Sequence, residues 1–184
     1  MDIENSLIYS SRKIDPVSEN RNWLEKEYLP NVKGSLLFVG IKEYCANYKK
    51  IAVGVDQFTT LDVNPEVAKF GGDYHYVSTL DEFILSNTNR KYQNISLHGL
   101  WGMNDSYSSD KAGMKESISN SLSALRSGGT LQFGAAIWDG IISEKEYEEL
   151  FEDLGLVGNK IIHKSIVDVH NYPWKTHYIL WARK

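Results

Sequence analysis

A glycine and a carboxylate set the first chemical expectation. Gly40 closes the apolar run Ser35–Gly40, SLLFVG, and Asp62 closes a second apolar run, Phe58 to Leu61, 22 residues further on. A continuous hydrophobic run reads as a buried parallel strand. Glycine at its carboxyl end lets a ligand approach the backbone. An acid about 20 residues later, at the tip of the next strand, is placed to accept hydrogen bonds from ribose hydroxyls. The pair reads as a grip on a nucleoside-type cofactor. The competing readings are an ordinary turn at Gly40 and a helix cap at Asp62, just before Asn64-Pro65-Glu66.

A second group of chemical candidates follows the run Tyr92–Leu97. Of the five histidines, His98 alone falls at a strand's carboxyl end, which makes it the general-base candidate. The alternative is a structural histidine with its ring nitrogens satisfied. Asp105 is a weaker catalytic candidate and also reads as a helix cap, with Asn104 and Tyr107 beside it. No HExxH motif, i, i+4 histidine pair or cysteine cluster occurs, so no zinc site is expected.

Composition bounds these chemistries. The 184 residues suggest one domain, with 42% hydrophobic and 24% charged residues. A net charge of −4 without a basic run argues against a nucleic-acid partner. Cys45 is the only cysteine, so no internal disulfide can form and a reducing, cytoplasmic setting is expected. Met1–Ser11 is polar and lacks a signal-peptide pattern. No apolar run approaches the ~20 residues that cross a bilayer, so no membrane partner is expected.

The elements that must position these residues alternate. The first fifteen residues read as a loosely attached lead. Ser18 caps a helix with Trp23, Leu24 and Tyr28 on its apolar side and Pro30 at its end. Strands are expected at Ser35–Val39, Phe58–Leu61, Tyr74–Val77, Tyr92–Leu97 and Thr130–Phe133. Helices are expected at Glu43–Lys50, after Asn64-Pro65, from Thr79 to about Leu85, and at Asp110–Arg126, the last ended by Gly128-Gly129. A capping box, Ser143-x-x-Glu146, opens a further helix. Closing strands near Lys160–Val169 and Thr176–Ala182 flank the aromatic connection Tyr172-Pro173-Trp174, which reads as a lid, an interface patch or edge packing. Strand–helix alternation predicts a parallel sheet covered on both faces, and the closing strand pair predicts an antiparallel hairpin at one edge.

Four pieces in this order, SLLFVG, FTTLDVNPE, YQNISLHGLWGMND and LSALRSGGTLQFG, resemble the class I S-adenosylmethionine-dependent methyltransferases. The resemblance covers about Val32 to Arg183. It implies a three-layer Rossmann-like fold with a mostly parallel seven-stranded sheet and a C-terminal antiparallel hairpin. Residues 32–184 would form that domain, with 1–31 as a lead and a helix packed on it. S-adenosylmethionine would be the cofactor, and Gly40, Ile41, Tyr44, Asp62, Val63, Ser78, Thr79, His98, Gly99 and Leu100 its contacts. Trp101 would lie near the methyl group. The implied activity is methyl transfer to a small molecule, a sugar or cell-surface precursor being the class named. One departure stands out: the family's glycine-rich turn keeps a single glycine here, with Ile41, Lys42 and Tyr44 where small residues are usual. That departure motivates the alternative of a catalytically inactive, methyltransferase-like binding protein. A nicotinamide oxidoreductase would need a fuller GxGxxG turn, which is absent.

Overall fold

The computed structural model describes residues 8–10, 21–98, 111–138, 144–166 and 174–184. Its strands are β1 (Ile8–Ser10), β2 (Gly34–Val39), β3 (Val55–Asp62), β4 (Tyr74–Val77), β5 (Tyr92–Leu97), β6 (Leu125–Trp138), β7 (Val157–Ile166) and β8 (Trp174–Arg183). They form one sheet in the order β1-β7-β8-β6-β5-β2-β3-β4. The five strands from β4 through β3, β2 and β5 to β6 are parallel throughout. The α-helices are α1 (Tyr48–Ile51), α2 (Leu80–Ser86), α3 (Lys111–Ala124) and α4 (Glu144–Asp153).

Successive side chains of a strand point to opposite faces, so each strand feeds two cores. Leu37, Val39, Leu61, Ile95, Leu97 and Leu131 face one way, toward Phe83 and Ile84 of α2, Ile118 and Leu122 of α3 and Leu150 and Phe151 of α4. Leu36, Phe38 and Phe58 face the other way, toward Trp23, Leu24, Tyr28 and Leu29 of the first helical segment, with Ile41, Cys45 and Tyr48. Burying each large apolar side chain contributes roughly 1.5–3 kcal/mol.

Several expectations are corrected. The sheet has eight strands rather than seven, because Ile8–Ser10 of the supposed lead pairs parallel to β7. β7 and β8 pair antiparallel, and the segment 167–173 that joins them lies outside the described residues. The first helix widens to a π-helical turn at Leu24–Tyr28. The segments after Gly40 and after Asn64 begin as 3₁₀ turns, Glu43–Asn47 and Pro65–Phe70. Gly128-Gly129 does not end a helix. α3 stops at Ala124, and Leu125 already pairs with Tyr92, so the glycines form an irregularity inside β6. β6 also continues past Gly134 to Trp138, because β8 supplies a partner along that whole stretch. Ser18, Asp110 and Ser143 lie outside the described residues.

Asp73 ties the ends of two elements. Its carboxylate accepts from the Lys49 ammonium of α1 and from the Phe58 N–H at 2.9 Å, and these two bonds lower its pKa. Cys45 is buried, and burial pushes its thiol up to about 11. A neutral, buried thiol is a poor nucleophile. We therefore expect Cys45 to react with a thiol reagent at pH 8 at least about a hundredfold more slowly in the native protein than in urea. Equal rates, read by mass spectrometry, would contradict the placement of this segment.

Candidate functional site

Register sets the site. Val39 of β2 lies opposite Leu61 of β3 and Leu97 of β5. The next residues, Gly40, Asp62 and His98, therefore sit side by side where the three carboxyl ends meet. Chain order reverses here: β3 and β4 extend to one side of β2, and β5 and β6 to the other. In open α/β sheets this switch point is where ligands bind.

Gly40 has φ +81°, a conformation that L side chains rarely adopt. A Cβ there would stand 1.7 Å from the His98 carbonyl oxygen. Glycine is thus demanded by the neighbouring strand as well as by any approaching ligand. The turn is held by Gly40 N–H donating to the Leu61 carbonyl at 2.9 Å and His98 N–H donating to the Val39 carbonyl at 2.9 Å.

Asp62 divides its carboxylate. Oδ1 accepts from the Asn64 N–H at 2.8 Å, which shapes the turn. Oδ2 has no hydrogen-bond partner among the described residues. Asn64, not Asp62, caps the following segment, its Oδ1 accepting from Glu66 N–H at 2.9 Å. Asp62 therefore offers an ionisable oxygen at the strand tip, the donor-seeking group that ribose hydroxyls require.

The remaining expected contacts fall in three groups. Ile41 is buried in the core cluster with Trp23 and Phe38, so its bulk lies beneath the turn. Lys42 and Glu43 are exposed, and Tyr44 is half-buried beneath the Arg21 guanidinium, 5.6 Å from its ring centroid. Burial pushes the Tyr44 phenol up to about 12, so it stays protonated at neutral pH and can donate but not act as a base. Val63 is 64% exposed beside Asp62, open to an adenine face. Ser78 and Thr79 are engaged in a helix start. Glu82 N–H donates to Thr79 Oγ1, and Thr79 N–H and Ser78 Oγ donate to Glu82, each at 3.3 Å. Gly99, Leu100, Trp101, Asn104, Asp105 and Tyr107 lie outside the described residues, as do Tyr172 and Pro173.

His98 has company that the sequence reading missed. Its Nε2 lies 2.9 Å from both Ser96 Oγ and Gln132 Oε1, and Ser96 Oγ donates to the same Gln132 oxygen at 2.5 Å. The ring stacks on Phe38, centroids 4.9 Å apart and planes 10° apart. Ser96 and Gln132 are fully buried, and Gln132 Nε2 has no partner among the described residues. Ser96 and Gln132 face each other across β5 and β6, but neither is the single polar residue of its strand, so the sequence did not mark the pair.

Burial pushes His98 down to about 4, against a smaller upward pull from Gln132. The ring is neutral at physiological pH. Between the ordinary value of 6.5 and the folded value of about 4, the unfolded chain binds more protons than the folded one. Stability therefore rises with pH across that window and is lost as pH falls through it. At about 1.4 kcal/mol per pH unit, the loss is on the order of 3 kcal/mol. His75, also lowered by burial, adds to the slope. We expect urea midpoints from pH 7 to 4 to fall less steeply in His98→Gln than in the parent. Parallel curves would show that His98 titrates normally.

Among the described residues, no group of three or more His, Cys, Asp or Glu side chains could hold a metal ion, and no helix is long and apolar enough to cross a membrane. No protein-family model and no curated protein matches the chain. Solved structures do match. N-methyltransferase NodS from Bradyrhizobium japonicum WM9 aligns over 94% of this chain and 99% of its own, at 16% identity and a TM-score of 0.62. Its complex with S-adenosyl-L-homocysteine covers 91% of this chain and 86% of its own, at 16% identity and a TM-score of 0.61. A SAM-dependent methyltransferase from Archaeoglobus fulgidus covers 91% and 94%, at 11% identity and a TM-score of 0.63. The fold of this chain is that of the class I S-adenosylmethionine-dependent methyltransferases.

Proposed function

We propose that this protein is an S-adenosylmethionine-dependent methyltransferase acting on a small molecule, with a sugar or cell-surface precursor as the acceptor class to test first. The observation that carries the reading is Asp62: a carboxylate oxygen without a partner among the described residues, at the strand tip beside Gly40 and at the switch point of the sheet. The S-adenosyl-L-homocysteine complex of a structurally similar N-methyltransferase supports the choice of cofactor. We read residues 32–184 as the methyltransferase domain, the β7–β8 pair as its closing hairpin and the preceding helix as packed on its face. The lone, buried Cys45 supports a cytoplasmic setting.

In this reading Asp62 holds the ribose, Val63 covers the adenine, and the turn from Gly40 to Tyr44 borders the methionine end. Bound S-adenosylmethionine would supply a methyl carbon already activated by its sulfonium sulfur, so the protein's task is to position and desolvate the acceptor. His98, one strand away from Gly40, is placed to receive the acceptor's hydrogen bond. Calorimetric titration with S-adenosylhomocysteine tests the proposal, with a saturable heat in the micromolar range expected. No heat at high micromolar ligand, with Asp62→Ala indistinguishable from the parent, would sink it.

A further inference from the structure

We propose that Gln132 and Ser96 are positioning residues that hold His98 as its Nε2–H tautomer, presenting Nδ1 to a methyl acceptor whose reacting atom bears a proton, a hydroxyl or an amine. The inference deepens the methyltransferase reading and rests on it for the identity of the substrate. Its structural half stands alone.

The hydrogen bonds point to the assignment. A carboxamide oxygen can only accept. Gln132 Oε1 lies 2.9 Å from His98 Nε2 and 2.5 Å from Ser96 Oγ, so both neighbours donate to it. With the Gln132 carboxamide in this orientation, Nε2 carries the ring proton and Nδ1 the lone pair. Nδ1 has no hydrogen-bond partner among the described residues. The ring cannot swing away, because it lies flat on Phe38 and its backbone is locked against Gly40. Which ring nitrogen holds the proton is thus decided by what the other strands offer it.

An acceptor site on histidine selects the group opposite it. A hydroxyl or amine can donate to Nδ1, whereas a carboxylate cannot and would face the lone pair unfavourably. Proton bookkeeping agrees. As the acceptor's lone pair forms its bond to the methyl carbon, the carbon–sulfur pair stays on sulfur, and the released proton passes to Nδ1 and then to water. Gln132 Nε2, buried and without a partner among the described residues, is a second donor in the same cluster.

Two-dimensional ¹⁵N–¹H spectra of the ¹⁵N-labelled full chain, without cofactor, read the tautomer directly, with His98→Gln assigning the signal. The expected pattern is a protonated Nε2 and an unprotonated Nδ1. Ser96→Ala should keep it, since Gln132 Oε1 remains, and Gln132→Leu should turn it into a mixture. A parent with Nδ1 protonated overturns the proposal even if Gln132→Leu fails to fold, and an unchanged pattern in folded Gln132→Leu overturns the role of Gln132. Failure of S-adenosylhomocysteine binding would leave these spectra unaffected, so the two readings fail separately. With S-adenosylmethionine present, transfer to a carboxylate panel and not to matched alcohols and amines would overturn the substrate class.

Discussion

Replacing Gly40 with alanine is expected to be among the most damaging single changes in this chain. Two costs combine. A non-glycine residue at positive φ carries roughly 1–3 kcal/mol of strain. A methyl placed 1.7 Å from the His98 carbonyl oxygen forces β2 and β5 apart, and overpacking costs roughly another 1–3 kcal/mol. The obstacle is backbone, so no side chain can rotate aside. Gly128 provides the internal comparison: its φ is +72°, yet a Cβ there would meet nothing within 4 Å. Gly128→Ala should therefore lose only the conformational part. Urea unfolding of both variants would separate the terms, with Gly40→Ala at least about 1 kcal/mol less stable than Gly128→Ala. Equal losses would mean that the strand ends part without cost. Because His98 rides on the same contact, Gly40→Ala should also disturb the Ser96–Gln132 cluster.

Asp62→Ala should leave the fold standing and remove ligand binding. Asp62 is partly exposed, and the bond it makes to the Asn64 N–H is local, so the loss of stability should be small. Binding is another matter. Each hydrogen bond from a ribose hydroxyl to the carboxylate is worth roughly 1.5–3 kcal/mol, or about ten- to a hundredfold in affinity. For two such bonds the calorimetric Kd for S-adenosylhomocysteine should rise by a hundredfold or more. Asp62→Asn is the sharper probe, since it keeps an oxygen for the Asn64 N–H and removes the charge. A loss confined to Asp62→Ala would assign the effect to the shape of the turn. Loss in both would assign it to the free carboxylate oxygen.

What the sequence disclosed follows the physics of burial. SLLFV read as a strand because both its faces are covered, and such a strand writes a nearly continuous apolar run; YQNISL, equally covered, carries buried Asn94 and Ser96 within it. The helix expected from Thr79 is present, and the structure adds the reciprocal bonds between Thr79 and Glu82 that start it. The length of β6 was hidden, because its second half is specified by β8, some forty residues away, and two glycines gave a local signal that the long-range pairing overrides. Ile8–Ser10 was invisible for the same reason: three residues carry no period. At the site, Gly40, Asp62 and His98 could be named from strand ends, but their alignment in one row needed the register. The direction of the Ile41 side chain was not legible, because residue size says nothing of direction. Placed one step past the turn, it drops into the core.

The end of the sheet at β4 governs how the protein behaves in company. An open strand edge is a template for another chain, and Tyr74 and Val77 present apolar surface along this one, 53% and 52% exposed. β4 has only four residues, so an incoming strand would find few hydrogen bonds there. Arg90 sets a cation 5.3 Å over the Tyr76 ring and donates to its hydroxyl at 2.5 Å. Among the described residues, shortness and a nearby cation are the two features of this edge that work against pairing with another strand.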